Sequence, residues 1–186
     1  MTRTTQQLTF EEYLSYDDGT DVRCEWVDGE LYPMTPASWG HKSIMRFLFL
    51  QFYLEIQRQG LGWEPYEDGL GVRTMQQRVR LPDLCIFQER PALARNEAAI
   101  LTTPPLLVVE IVSPESISRD YRTKRSEYAT FEITEYWIVD PLAQKVSILQ
   151  LVEGFYDVRE FTGQERIISP LFAELMLTAN QILQGV

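Results

Sequence analysis

One carboxylate set inside an otherwise apolar run constrains this chain more than any other feature. Leu106-Leu107-Val108-Val109-Glu110-Ile111-Val112 follows Pro104-Pro105 and is ended by Ser113-Pro114. The length of the run and its bounding prolines predict a short, buried strand. A lone carboxylate in such a strand is strongly destabilising unless a lysine, an arginine or a metal ion meets it. The sequence offers partners for it. Asp83 heads a second apolar stretch, Leu84-Cys85-Ile86-Phe87, and Lys124 lies fourteen residues after Glu110 on a predicted helix. Paired strands lie about 4.8 Å apart, so acids on neighbouring strands can share one ion. Asp83 and Glu110, with the Ile111 carbonyl as a third oxygen, suit Mg²⁺ or Mn²⁺. A lysine beside them can orient an attacking water, help deprotonate it and stabilise developing negative charge.

Composition sets the outer bounds. The 186 residues, 45% hydrophobic and 24% charged, predict one globular domain over 1–186 with a real core. No apolar run reaches the ~18 residues of a membrane span, so no membrane partner is expected. Met1 to Thr9 is polar and has no signal-peptide core, which points to the cytoplasm. A single histidine excludes His-rich zinc chemistry. Cys24 and Cys85 are too far apart for a metal or redox motif and are expected as buried free thiols in a reducing compartment.

Net charge argues against a polyanionic partner. Twenty-seven acids against 17 bases leave −10, which repels nucleic acid at long range. The distribution softens this, because residues 11–30 hold eight acids and one base. Arg73, Arg78 and Arg80 lead into Asp83, and Arg119, Arg122, Lys124 and Arg125 cluster after Glu110. Both groups could equally be solvated faces.

The order of elements predicts an α/β fold, a mixed sheet flanked by helices. A short helix spans Leu8 to Leu14, with Thr9 and Glu12 forming a capping box. Strands 23–27 and 30–34 flank Asp28-Gly29, a two-residue hairpin signal. A long helix runs from about Ser38 to Gln59 and stops at Gly60. Its Ile44, Met45, Phe47, Leu48, Phe52 and Ile56 fill more than one face, so it should lie centrally or at a dimer interface. Residues 63–87 alternate as strands, broken at Asp68-Gly69 and at 74–77, and 88–103 read as an irregular or partly helical connection. A helix over 118–131 precedes a strand at 135–139, and a hairpin over 146–161 turns at Glu153-Gly154. A short strand near 175–177 and a closing helix capped by Thr178 complete the chain.

Asp120, Lys124 and Tyr128 recur at i, i+4 and i+8 on one helical face. Alone, this spacing reads as an exposed ion pair with an anchoring tyrosine, stabilising by a few tenths of a kcal/mol. Combined with Glu110 upstream and Pro82-Asp83 before that, it reads as a site. His41, near the start of an apolar helix, fits a phosphate contact or a structural hydrogen bond equally well. Ser113 fits a turn rather than a nucleophile, because no His–Asp partnership surrounds it. Trp26, Trp39, Trp63 and Trp137 read as core or interface, with base stacking open to one of them.

Several of these residues together resemble a known family. Pro82-Asp83, Glu110-Ile111-Val112-Ser113-Pro114, Asp120 with Lys124 and Tyr128, and Glu135-Tyr136-Trp137-Ile138-Val139-Asp140-Pro141 are similar to the Uma-type restriction endonuclease family of cyanobacterial type. That family is a branch of the PD-(D/E)XK nuclease superfamily. The stretch from Glu25 to Leu31, Pro36-Ala37-Ser38 with His41, and Gly71-Val72-Arg73 also match, so the resemblance covers about residues 8 to 184. It implies a restriction-endonuclease-like core with N-terminal and C-terminal β-hairpins. It also places Asp83 and Glu110 at the family's metal-binding positions. The superfamily's usual lysine, two residues after the second acid, falls on Val112, and the resemblance moves it to Lys124. Glu25 matches a further acidic position, as a ligand or water-positioning group. His41, Arg73, Arg80, Arg122 and Tyr128 are the candidates for substrate contact. One departure is Glu132-Ile133, where the family has Gly-Val; if φ is positive there, the loss costs about 1 kcal/mol.

Two functions follow as expectations. The first is a Mg²⁺- or Mn²⁺-dependent endodeoxyribonuclease that cuts DNA as a homodimer and leaves 5′-phosphate and 3′-hydroxyl ends, as the resemblance implies. The second is a catalytically idle dimeric scaffold or binding protein that keeps the nuclease fold, a reading the acidic surface favours. RNA or a small phosphodiester remains open as the substrate, because no base-reading element is recognisable.

Overall fold

A computed structural model describes residues 7–20, 22–89, 93 and 97–186. α1 (Phe10–Leu14) begins at Thr9, whose hydroxyl and backbone N–H exchange bonds with Glu12 in the expected capping box. β1 (Cys24–Val27) and β2 (Glu30–Pro33) meet at Asp28-Gly29, whose φ values of 53° and 88° supply the left-handed pair that a tight hairpin needs. α2 (Trp39–Gln59) starts at Ser38, whose side chain accepts the His41 N–H. It ends at Gly60 in the left-handed region, φ 68°. β3 (Glu64–Glu67), β4 (Gly71–Met75), β5 (Arg78–Arg80) and β6 (Leu84–Phe87) follow. After β7 (Ile100–Leu101) and β8 (Leu107–Ile111), a π-helical turn (Arg119–Lys124) runs directly into α3 (Arg125–Thr130). β9 (Glu135–Asp140), β10 (Lys145–Val152), β11 (Phe155–Thr162) and α4 (Ala179–Gln184) complete the order.

The expected mixed sheet flanked by helices is present, and a second mixed sheet accompanies it. The larger runs β11-β10-β9-β8-β6-β3, with β8 and β9 parallel and the other pairs antiparallel. The smaller runs β2-β1-β5-β4-β7, with only β4 and β7 parallel. Strands β6, β8 and β9 are buried along their whole length, as central strands covered on both faces must be. Alternation sorts their side chains. Leu84, Ile86, Leu107, Val109, Ile111, Trp137 and Val139 face the core shared with α2 and α4. Cys85, Phe87, Val108, Val112, Tyr136 and Ile138 face the opposite core with Tyr128 of α3. By the same alternation, Asp83 and Glu110 belong to that second face. Leu84 pairs with Val109, so the register carries Asp83 to a place opposite Glu110.

Other expectations are corrected. The segment read as irregular or partly helical ends in the strand β7, which pairs with β4; residues 90–92 and 94–96 lie outside the described residues. The strand expected near 175–177 is reduced to an isolated bridge between Arg166 and Thr178, after which α4 starts on a Thr178 capping box. The helix predicted over 118–131 is π-helical in its first half. Such wide turns occur mostly inside α-helices and frequently at functional sites. Cys85 is a buried free thiol as expected, whereas Cys24, on β1, is only half-buried. Glu132 takes φ 60°, so the position where the resemblance implies glycine does adopt the left-handed conformation. Among the described residues no helix is long and apolar enough to cross a membrane.

Candidate active site

Two carboxylates come together at the rim of the larger sheet. Asp83 stands just before β6, where its Oδ2 accepts the Ile111 N–H at 2.7 Å and its Oδ1 lies 2.8 Å from His41 Nε2. In an extended residue the N–H and C=O point to the same strand edge. The Ile111 carbonyl is therefore turned toward the Asp83 side, while the Val112 N–H bonds to Val139 on β9. Glu110 is fully enclosed. The Tyr128 hydroxyl donates to its Oε1 at 2.6 Å, and Lys124 Nζ lies 2.8 Å from the same oxygen.

Lys124 joins the two sheets. The π-helical turn presents it inward, with 1% of its surface exposed. Besides Glu110 it meets Glu25 Oε1 of β1 at 3.2 Å and Asp120 Oδ1 at 3.7 Å. Burial works against the Lys124 ammonium, but Glu110, Glu25 and Asp120 outweigh it and raise the pKa. Lys124 is therefore a firm cation, suited to donating hydrogen bonds rather than to removing a proton from water, the second role expected of it. Glu110 shifts the other way for an acid. Burial, aided by Asp120, Asp83 and Glu25, overcomes the pull of Lys124 and raises its pKa to about 8. Asp120 is also raised by burial, with Lys124 and a short bond from Ser116 opposing the shift.

Behind Lys124 the acids are paired with arginines. Arg80 Nη1 lies 2.8 Å from Glu25 Oε2, and its Nε and Nη2 grip Glu127 at 2.7 and 2.6 Å. Arg78 Nη1 holds Glu127 Oε1 at 2.6 Å and reaches Asp28 with its other nitrogens. Burial alone would raise Glu25, but Lys124, Arg80 and Arg119 lower its pKa to about 2. This ladder places Arg80 away from solvent, bound between Glu25 and Glu127 rather than facing a substrate.

The remaining candidates scatter. Tyr128 is buried on Glu110, and Arg122 is exposed on the π-helical turn. Arg73 stacks 3.7 Å over the Phe10 ring and donates to the Gln76 carbonyl. Trp26 and Trp137 are core, Trp63 is packed against it, and Trp39 is 88% exposed. Ser113 lies in a turn, its N–H donating to Ser116 Oγ. Sequence reasoning missed Glu127 and named Arg119 only within a basic cluster. Glu127 is one position from Tyr128, but its partners lie 47 and 49 residues upstream, and no local spacing signals that.

The donor set fits a hard divalent cation. Among the described residues no three His, Cys, Asp or Glu side chains form a ready ligand cluster. Two carboxylates and a carbonyl with water filling the rest is, however, the usual way Mg²⁺ is held. Each Asp83 oxygen carries one bond and keeps a free lone pair, and both contacts to Glu110 fall on its Oε1, leaving Oε2 available; Asp120 Oδ1 is buried with no hydrogen-bond partner.

Comparison with known proteins decides the family. The model of the Uma2 family, with the description "Putative restriction endonuclease", matches residues 10–180. The chain belongs to the Uma2 family. A relative of this Uma2 chain, the uncharacterized protein sll1609 of Synechocystis sp., is 27% identical over 152 residues, covering 80% of this chain and 84% of that one. The crystal structure of "a putative nuclease belonging to DUF820" from Anabaena variabilis superposes with a TM-score of 0.78 at 19% identity. That alignment covers 96% of the Uma2 chain and 98% of the other. At that identity the likeness establishes a shared fold.

Proposed function

We propose that this Uma2 protein is a divalent-metal-dependent endonuclease that hydrolyses DNA phosphodiester bonds as a homodimer. The observation that carries the reading is the meeting of Asp83 and Glu110 across β6 and β8, with the Lys124 ammonium 2.8 Å from Glu110. The family description and the nuclease named as its structural neighbour support it. Asp83, Glu110 and the Ile111 carbonyl would hold Mg²⁺ or Mn²⁺, which when bound supplies Lewis-acid charge and lowers the pKa of water.

The chain's own residues then position and polarise. His41 and the Ile111 N–H fix the Asp83 carboxylate from two sides. Tyr128 and Lys124 fix Glu110. Lys124 brings a permanent positive charge, oriented by Glu25 and Glu110, toward the oxygens on which charge develops. Hydrolysis between phosphorus and the 3′-oxygen leaves the 5′-phosphate and 3′-hydroxyl ends that the family resemblance implies.

Purified protein with Mg²⁺ or Mn²⁺ is expected to cut plasmid DNA, and Asp83→Asn to abolish cutting with the circular dichroism spectrum unchanged. Equal cutting by Asp83→Asn would overturn the assignment. Asp83 is the better first target, because Lys124→Ala strips a buried counter-charge from Glu110 and Glu25 and threatens folding.

The homodimer rests on the outer face of α2, where Trp39, Leu50, Tyr53 and Leu54 are exposed. Light scattering that finds only the 21.7 kDa species would remove it. The idle-scaffold reading draws on one observation, that both Asp83 oxygens are already bonded within the protein. Calorimetry that detects no Asp83-dependent binding of Mg²⁺ or Mn²⁺ would favour it.

A further inference from the structure

A phosphodiester entering this site meets a local excess of acid. Asp83, Glu110, Asp120 and Glu25 surround it, in a chain of net charge −10. Binding an anion there requires a cation with hydrogen-bond donors to spare. The buried cations have few. Lys124 is gripped by Glu110 and Glu25, and Arg80 is gripped by Glu25 and Glu127.

Arg119 differs from both. It opens the π-helical turn one residue before Asp120, is half-buried, and its side chain makes no hydrogen bond or ion pair among the described residues. Its Nε is shielded from solvent and has no acceptor. A buried guanidinium N–H left so is destabilising, which suggests that an acceptor belongs there. The Arg119 charge acts on Glu25, Asp120 and Lys124, so it borders the same group of acids. Asp120 Oδ1 is likewise unbonded, yet the two orphan atoms do not pair with each other.

We propose that Arg119 is the phosphate-binding residue of the site, with its Nε and an adjacent terminal nitrogen holding the two non-bridging oxygens of the phosphodiester. A side-on guanidinium fork matches that oxygen pair and adds geometric selection to charge, which a lysine does not. The inference rests on the nuclease reading for its substrate class but is tested by binding alone.

The probes are a short fluorescent oligothymidine and the same oligomer with neutral methylphosphonate links, titrated in Ca²⁺ and followed by anisotropy. Arg119→Gln is expected to weaken binding of the natural oligomer about tenfold or more and to lower the salt dependence by about one phosphate. It should leave binding of the neutral oligomer unchanged, and Arg119→Lys should recover part of the loss. Arg119→Gln should keep the wild-type circular dichroism spectrum and a single cooperative urea transition, which separates this from a folding defect. Equal affinity of wild type and Arg119→Gln for the natural oligomer would overturn the assignment, even if the wild type cuts DNA. A wild type that binds neither oligomer would overturn it together with the nuclease reading.

Discussion

The two ends of one buried ion network behave differently. At the smaller sheet Arg78, Arg80, Glu25 and Glu127 satisfy one another at 2.6–2.8 Å. At the other end, Asp120 Oδ1 and Arg119 Nε have no hydrogen-bond partner and burial pushes the Glu110 carboxyl up to about 8. Lys124 belongs to both ends. Full pairing is what a structural strut needs, because an uncompensated buried charge is strongly destabilising. Unfilled donors, unfilled acceptors and a displaced pKa are what a reactive site keeps. The first end holds the sheets together so that the second can stay incomplete.

The most severe way to test this contrast is to break the strut. Arg80→Met leaves Glu25 and Glu127 short of a partner and should lower unfolding free energy by about 3–5 kcal/mol, measured by urea titration. A loss below about 1 kcal/mol would erase the distinction between the two ends.

Stability against pH should sharpen it, measured in EDTA so that no metal intervenes. Glu25 is held at about 2 in the folded state against an ordinary 4.5. Its stabilisation, of the order of 3 kcal/mol, is present above about pH 4.5 and lost as pH falls toward 2. Glu110 has the opposite sign, because its folded value of about 8 lies above 4.5. Its contribution is present below about pH 4.5 and is lost as pH rises through 8. Glu25→Gln should therefore flatten the acid limb of a urea-midpoint profile and Glu110→Gln the alkaline limb. Both variants flattening the same limb would refute the division.

The smallest expected effect lies just beyond α3. Glu132 at φ 60° occupies a conformation glycine adopts without strain, so Glu132→Gly should raise stability by about 0.5–1 kcal/mol. Calorimetric melting temperature reads this directly. A drop would mean that the Glu132 side chain, not its backbone, matters at that turn.

Local rules were legible where local chemistry governs. The Thr9–Glu12 box, the Asp28-Gly29 turn and the Gly60 stop each depend on a few neighbouring residues, and each formed as read. The pairing of β6 with β8 follows from apolar runs that must be buried on both faces. The strand expected at 175–177 failed because a lone apolar triplet needs a partner edge, and only one bridge formed there. The half-exposed Cys24 failed for a related reason. Strand pattern shows which residues alternate, not whether the sheet above them is covered.

For the candidate site the division is sharper. Composition and motif alone determined that a buried acid on an apolar strand needs a cation, that Asp83 and Lys124 are available to it, and that the chain reads as Uma-type. Only tertiary structure decided who holds whom. It pinned Lys124 between acids of two sheets, turned Arg80 into a strut and left the Arg119 side chain with no hydrogen bond or ion pair among the described residues. Ion pairs between residues tens of positions apart depend on sheet register and helix pitch, and a π-helical turn alters that pitch within six residues.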